Sequence, residues 1–190
     1  MRIIAGTWKR RNLVAPKGMA TRPTSDRLRE TLFNVLDAAG RVDGAKFADL
    51  YAGSGAVALE ALSRGAREVW AAENAVPAVK ALRENVAAMG AALMGQALKI
   101  ETRGVRELLE KERGFDVVFL DPPYEAAKEY TATLETLGRV KGIVAEGGLV
   151  VAEHSKKNDL QERYGRLLRT RVLTQGDAAL SFYEVEDDDS

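Results

Sequence analysis

Four consecutive residues, Asp121-Pro122-Pro123-Tyr124, set a carboxylate, a stiff turn and an aromatic ring side by side. They follow Phe115-Asp116-Val117-Val118-Phe119-Leu120, a short apolar run that reads as a fully buried strand. Neither proline can donate a ladder hydrogen bond, so the strand stops there and the turn is rigid. Asp121 is thereby held at the strand's carboxyl end among fixed carbonyls, with Tyr124 as a flat face beside it. Acceptors next to a stacking platform suit a planar base that carries an exocyclic amine. An Asp-Pro turn with a core tyrosine would account for the same residues, but it requires neither the second proline nor the aromatic ring.

A second constellation lies upstream, in Asp49-Leu50-Tyr51-Ala52-Gly53-Ser54-Gly55. Glycines between a strand and a helix let backbone approach a ligand closely, and the helix N-terminus points at that ligand. Glu73-Asn74 follows the next strand about 20 residues on, where a carboxylate can bind ribose hydroxyls. Gly53-Ser54-Gly55-Ala56-Val57-Ala58 fits the loose G-x-G-x-x-G/A pattern, which alone does not separate a nicotinamide dinucleotide from S-adenosylmethionine. Asp49 favours the second, because a carboxylate there can meet a cation such as the ammonium of a methionine moiety and would repel a pyrophosphate.

These residues need elements to hold them. Strand-like runs over 46–50, 68–72, 98–101, 115–120, 148–153, 167–173 and 180–185 alternate with helical stretches over 56–63, 77–89, 105–111 and 126–137. The alternation predicts an α/β fold of the Rossmann-like kind. Its sheet has seven strands, mostly parallel with an antiparallel last strand, and helices on both faces. In a doubly wound sheet the first and fourth strands are neighbours about 4.8 Å apart, so the glycine loop and the Asp121 turn share one crevice.

The 190 residues are 46% hydrophobic and 29% charged, as in a soluble globular chain. The absence of cysteine excludes disulfides, cysteine-held zinc and a cysteine nucleophile, and with it a cysteine-dependent cytosine C5 methyltransferase. No signal peptide or spanning segment is evident, and a cytoplasmic location is the expectation. The net charge of zero hides an asymmetry: residues 1–36 carry eight basic and two acidic side chains, and the remainder is correspondingly acidic. Two short apolar runs, 2–5 and 12–15, flank Gly6-Thr7-Trp8-Lys9-Arg10-Arg11 and suggest a hairpin with a basic tip. Trp8 could stack on a nucleotide or pack on the main body. A helix through Leu28, Leu32, Val35 and Leu36 would bury one seam and leave its arginines exposed. The expected organisation is a basic extension over 1–40, a main domain over 41–186 and an acidic tail over 187–190.

The 49–55 loop together with Asp121-Pro122-Pro123-Tyr124 resembles S-adenosylmethionine-dependent methyltransferases that modify exocyclic amines of bases. The head of the chain narrows this. Arg2-Ile3-Ile4-Ala5-Gly6, Lys9-Arg10-Arg11-Asn12-Leu13 and Thr21-Arg22-Pro23-Thr24-Ser25-Asp26-Arg27-Leu28-Arg29-Glu30-Thr31-Leu32-Phe33-Asn34 resemble the RsmD family, which methylates N2 of a guanine in 16S ribosomal RNA. The resemblance covers nearly the whole chain. It implies catalysis at Asp121, Pro122, Pro123 and Tyr124, and cofactor binding by Asp49, Tyr51, Gly53, Ser54, Gly55, Glu73 and Asn74. It also implies RNA contact by Trp8, Lys9, Arg10, Arg11, Arg22 and Arg27, with 16S RNA or the small ribosomal subunit as partner, no metal, no membrane and a monomer. One departure stands at Thr102-Arg103-Gly104, where many such enzymes place an Asp or Asn to hold adenine; backbone contacts are expected there instead. His154, the lone histidine, reads as structural. The competing readings are an N6-adenine methyltransferase acting on DNA or RNA, a nicotinamide-dependent oxidoreductase, and a non-catalytic RNA-binding assembly factor.

Overall fold

The computed structural model describes residues 1–16, 25–90, 97–123 and 127–186; Arg22, Tyr124 and the acidic end at 187–190 lie outside them. The chain opens with the expected hairpin. Ile3 N–H donates to the Arg11 carbonyl at 2.9 Å, Arg10 N–H to the Ile3 carbonyl at 2.9 Å and Leu13 N–H to the Met1 carbonyl at 3.0 Å. Helix α1 (Asp26–Ala38) then starts at Ser25, whose side chain accepts from Leu28 N–H at 3.1 Å.

From there strand and helix alternate: β1 (Lys46–Leu50), α2 (Ala56–Ser63), β2 (Glu68–Ala72), α3 (Val76–Met89), β3 (Leu98–Glu101), α4 (Val105–Lys111), β4 (Phe115–Leu120), α5 (Ala127–Arg139) and β5 (Val144–Ser155). Three strands close the chain, β6 (Arg163–Tyr164), β7 (Leu167–Gln175) and β8 (Ala178–Val185). They form one sheet in the order β3-β2-β1-β4-β5-β8-β7-β6. β1 through β5 pair in parallel, and β8, β7 and β6 pair antiparallel in turn. Among the described residues the sheet has eight strands, not seven; the extra one is the two-residue β6 at the edge. β5 also begins earlier than expected, and its register against β4 shifts between Phe115 and Val117.

Side chains alternate across the sheet. Phe47, Val117, Phe119, Leu149 and Val151 pack in one core with α1, α2 and α3, and Ala48, Leu50, Val118, Leu120 and Val150 pack in the other with α4 and α5. Ile3 and Leu13 of the hairpin belong to the first core, as do Leu28, Leu32, Phe33 and Leu36 of α1. The hairpin therefore sits on the sheet's own core. Its amides at Ile4 and Ala5 donate to the Glu60 carboxylate at 2.8 and 2.9 Å, and Thr7 N–H donates to the Ser63 carbonyl at 2.8 Å. Only glycine fits at position 6. Its φ is +78°, and a Cβ there would lie 1.8 Å from the Ser63 carbonyl oxygen.

One arginine departs from the expected exposed set. Arg29 is fully buried; its guanidinium bonds the Arg2 carbonyl, lies 3.0 Å from Asp26 Oδ1, and approaches Glu60 at 3.8 Å. Glu60 is also fully buried and takes a second cation, Arg64, at 2.8 Å. A buried carboxylate needs such partners, and here they tie hairpin, α1 and α2 together. Among the described residues no helix is long and apolar enough to cross a membrane.

Candidate active site

Asp49 is the penultimate residue of β1 and its side chain faces α2. Only 1% of it is exposed, and Oδ2 accepts from Ala58 N–H at 2.9 Å. Ala58 is in the first turn of α2, whose N-cap, Gly55, has no side chain to offer. Asp49 therefore caps α2 from a neighbouring element. Burial pushes its carboxyl up to about 7; the Ala58 bond works against this, and the nearby carboxylates of Glu73 and Glu153 add to it.

The loop after β1 turns sharply. Tyr51 has φ +65°, in the left-handed region that non-glycine residues seldom adopt, and its hydroxyl is 2.9 Å from Thr133 Oγ1 on α5. Burial also raises the Tyr51 phenol above its ordinary value. Gly53 and Gly55 have φ +57° and +78°. Around Gly53 a Cβ would meet nothing, so the loop leaves open space there; at Gly55 it would strike Leu82 Cδ1 at 2.2 Å. Glu73 fixes the loop from the adjacent strand end. Its carboxylate accepts from Gly53 N–H at 2.9 Å and from Ala75 N–H at 2.8 Å. Ser54 is buried, with its hydroxyl 3.6 Å from Met1 Sδ and its carbonyl accepting from Asn85 Nδ2 at 2.9 Å.

Strand register brings the Asp121 turn to this loop. Leu50 pairs with Leu120, and Asp121 N–H donates to the Leu50 carbonyl at 3.4 Å. Pro122 is buried and Pro123 exposed. The Pro122 carbonyl lies 3.2 Å from the Tyr130 hydroxyl, which is 2.8 Å from the Glu153 carbonyl. Sequence reasoning missed both residues. Tyr130 lies on α5 as part of an apolar seam, where nothing marks a hydroxyl as a tether. Glu153 had a readable signal: it is a carboxylate at a strand's carboxyl end, like Asp49. Register places it beside Asp121 on the same face, since Leu120 pairs with Ala152, and it is only 3% exposed.

A cleft of about 820 Å³ runs between α4 and α5, from the carboxyl ends of the strands at Tyr51 and Glu73 to the opposite end of the sheet at Arg113 and Ile143. Tyr51, Glu73, Asn74, Arg103, Gly104 and Pro123 line the end at the strands' carboxyl side, and α4 and α5 supply most of the walls. Asp49 and Asp121 are not on its wall; they stand on the α2 side of the sheet, at the same strand ends. The Arg103 guanidinium is engaged by Glu101 at 3.0 and 2.9 Å, and Arg103 holds the Glu101 carboxyl below its usual range. Gly104, with φ +119°, lines the cleft beside Asn74 and Glu107.

Of the basic arm, Lys9, Arg10, Arg11 and Arg27 are exposed. Arg11 also donates to the Ala88 carbonyl at the end of α3 at 2.9 Å. Trp8 is half-buried against the first core, with its backbone N–H donating to Ser63 Oγ at 3.0 Å. His154 is buried and bonds Ser181 Oγ and the Ser155 carbonyl, both at 2.8 Å, and burial lowers its basicity.

The family model described as "Conserved hypothetical protein 95" matches residues 1–184. The Bacillus subtilis protein YlbH is 34% identical over 185 residues, 97% of this chain and 98% of its own. The Escherichia coli protein named "Ribosomal RNA small subunit methyltransferase D" is also 34% identical, over 98% of this chain and 90% of its own. The solved structure described as "Putative methyltransferase yhhF from Escherichia coli" superposes with a TM-score of 0.81 at 31% identity, covering 98% of both chains. The eight-stranded sheet, with its parallel half and its antiparallel closing strands, is thus a Rossmann-like methyltransferase fold, and the chain belongs to the RsmD family.

Proposed function

We propose that this protein transfers a methyl group from S-adenosylmethionine to the exocyclic N2 of a guanine in 16S ribosomal RNA, acting in the cytoplasm on the small ribosomal subunit or its RNA. The observation that carries the reading is the junction of β1 and β4, where Asp121 N–H meets the Leu50 carbonyl and puts the base-gripping turn against the glycine loop. The rRNA methyltransferase relatives support the substrate class.

The residues present suit the cofactor. Gly53 leaves open space for a close approach, and Glu73 and Asn74 stand on the cleft wall for ribose hydroxyls. Asp49 lies under the loop as a buried carboxylate that a ligand ammonium would stabilise in its ionised form. When bound, S-adenosylmethionine supplies an electrophilic methyl on a sulfonium.

The chain's own residues prepare the acceptor. Guanine N2 has its lone pair delocalised into the ring and is a poor nucleophile. Asp121 and the Pro122 carbonyl accept its two N–H bonds, draw the nitrogen toward tetrahedral geometry and free the lone pair. The fixed carboxylate stabilises the positive charge that develops on nitrogen and then takes the proton that N2 releases. Tyr130 holds the Pro122 carbonyl in place from behind. Tyr124, by this reading, stacks on the base once it has left its helix or loop. Most of the acceleration comes from orientation.

The test is transfer of labelled methyl to unmodified small subunits and, in parallel, to protein-free 16S RNA, with the product nucleosides identified by mass spectrometry. N2-methylguanosine is the expected product. N6-methyladenosine would move the substrate, and cofactor binding without transfer to either RNA would favour an assembly factor.

A further inference from the structure

The basic arm and the glycine loop meet at one buried side chain. Asn85 lies on α3 within the seam of Ala81, Leu82, Val86 and Met89 and is 1% exposed. Its carboxamide makes three bonds. Oδ1 accepts from Val14 N–H at 2.7 Å, and Nδ2 donates to the Val14 carbonyl and to the Ser54 carbonyl, both at 2.9 Å. Ser54 Oγ also lies 3.6 Å from Met1 Sδ. Both ends of the hairpin, Met1 and Val14, thus hold the residue between Gly53 and Gly55. The direction of that peptide matters, because the Gly55 N–H is committed to the Ala52 carbonyl at 2.7 Å and the Gly53 N–H to Glu73 at 2.9 Å. Fixing the Ser54 carbonyl fixes the whole turn.

We propose that Asn85 is a positioning residue that couples the arm to the glycine loop, so that RNA held by the arm and S-adenosylmethionine held by the loop raise each other's affinity. The inference rests on the functional reading above. With the arm docked, all three bonds of Asn85 are made. Freeing the Val14 end of the arm, beyond the buried Leu13, removes the two that Val14 supplies and leaves a buried carboxamide short of partners, which is costly. Asn85 must then turn or be rehydrated, and its hold on Ser54 goes with it. A ligand on either the arm or the loop favours the same docked state, and the effect is reciprocal by linkage. Packing alone gives no reason for an asparagine, since an apolar residue would complete the seam.

The coupling is measured as the affinity for S-adenosylhomocysteine with and without saturating unmodified small ribosomal subunits, and as the affinity for those subunits with and without S-adenosylhomocysteine. Wild type should show the same factor both ways, about fivefold or more. Asn85→Ala should bring the factor to about one while each ligand still binds alone. Asn85→Asp keeps the acceptor for Val14 but loses both donated bonds, and should behave likewise. Val14→Pro removes the arm's N–H at an exposed side chain and, although it also restrains Leu13, leaves the α3 seam itself unaltered, so it should lower the factor even if the Asn85 variants fail to fold. A wild-type factor of one would overturn the proposal, as would variants that melt earlier yet keep the wild-type factor. A wild type that binds neither ligand would sink the functional reading, and the coupling with it.

Discussion

Asp49 is poised near neutrality, and this gives the site a pH dependence of definite sign. Burial raises its carboxyl from 3.8 to about 7. The folded chain without ligand therefore keeps a proton that the unfolded chain releases, and its stability from this group falls as pH rises from about 4 to about 7. A cationic ligand reverses the preference. S-adenosylmethionine affinity should rise as pH increases through about 7 and level off above it, whereas Asp49→Asn should bind more weakly and without that rise; calorimetry across pH 5.5–8.5 checks this. At this scale the sequence was legible where a carboxylate followed a strand and preceded glycines or prolines, as at Asp49 and Asp121. It was silent on Asn85 and Tyr130, which act through backbone atoms of residues 31 and eight positions away. No local pattern encodes such pairings.

At the scale of elements, α5 and the small edge strand β6 lean on one glycine. A Cβ on Gly138 would sit 1.8 Å from the Tyr164 carbonyl oxygen, so Gly138→Ala must push helix and strand apart. Because α5 also carries Thr133 against Tyr51 and Tyr130 against Pro122, the displacement reaches the site. The variant should lose about 1–3 kcal/mol of stability, read by urea unfolding, and should transfer methyl more slowly at temperatures where it stays folded. The alternation of strand and helix was readable because most runs carry a periodic apolar face and lie between glycines or prolines. β6 was not, since two residues, Arg163 and Tyr164, have no periodicity and become a strand only because β7 lies alongside. β5 was read as starting at 148, but it starts at Val144, and 145–148 form the irregular stretch where the register against β4 shifts. The exposed arginines expected on α1 were half right, since Arg27 faces solvent and Arg29 is enclosed with Glu60. Sequence spacing gives the seam of a helix but cannot say that a second element will cover its flank.

For the whole molecule, an arm rich in cations rides on an acidic body and is bound to it through Glu60, Ser63 and Asn85. The charge separation suggests that the arm steers and grips RNA while the sheet's strand ends do the chemistry. Lys9→Ala with Arg10→Ala should weaken RNA binding and reduce the slope of log affinity against log salt by about 1.5–2, with cofactor affinity in the absence of RNA unchanged. An unaltered slope would mean that the arm serves only the fold. The central claim, that the turn after β4 performs the transfer while the loop after β1 holds the donor, is tested most directly by Asp121→Ala. Single-turnover transfer to unmodified small subunits should fall at least about a hundredfold, with S-adenosylmethionine affinity within about threefold of wild type. Transfer near the wild-type rate would contradict the account.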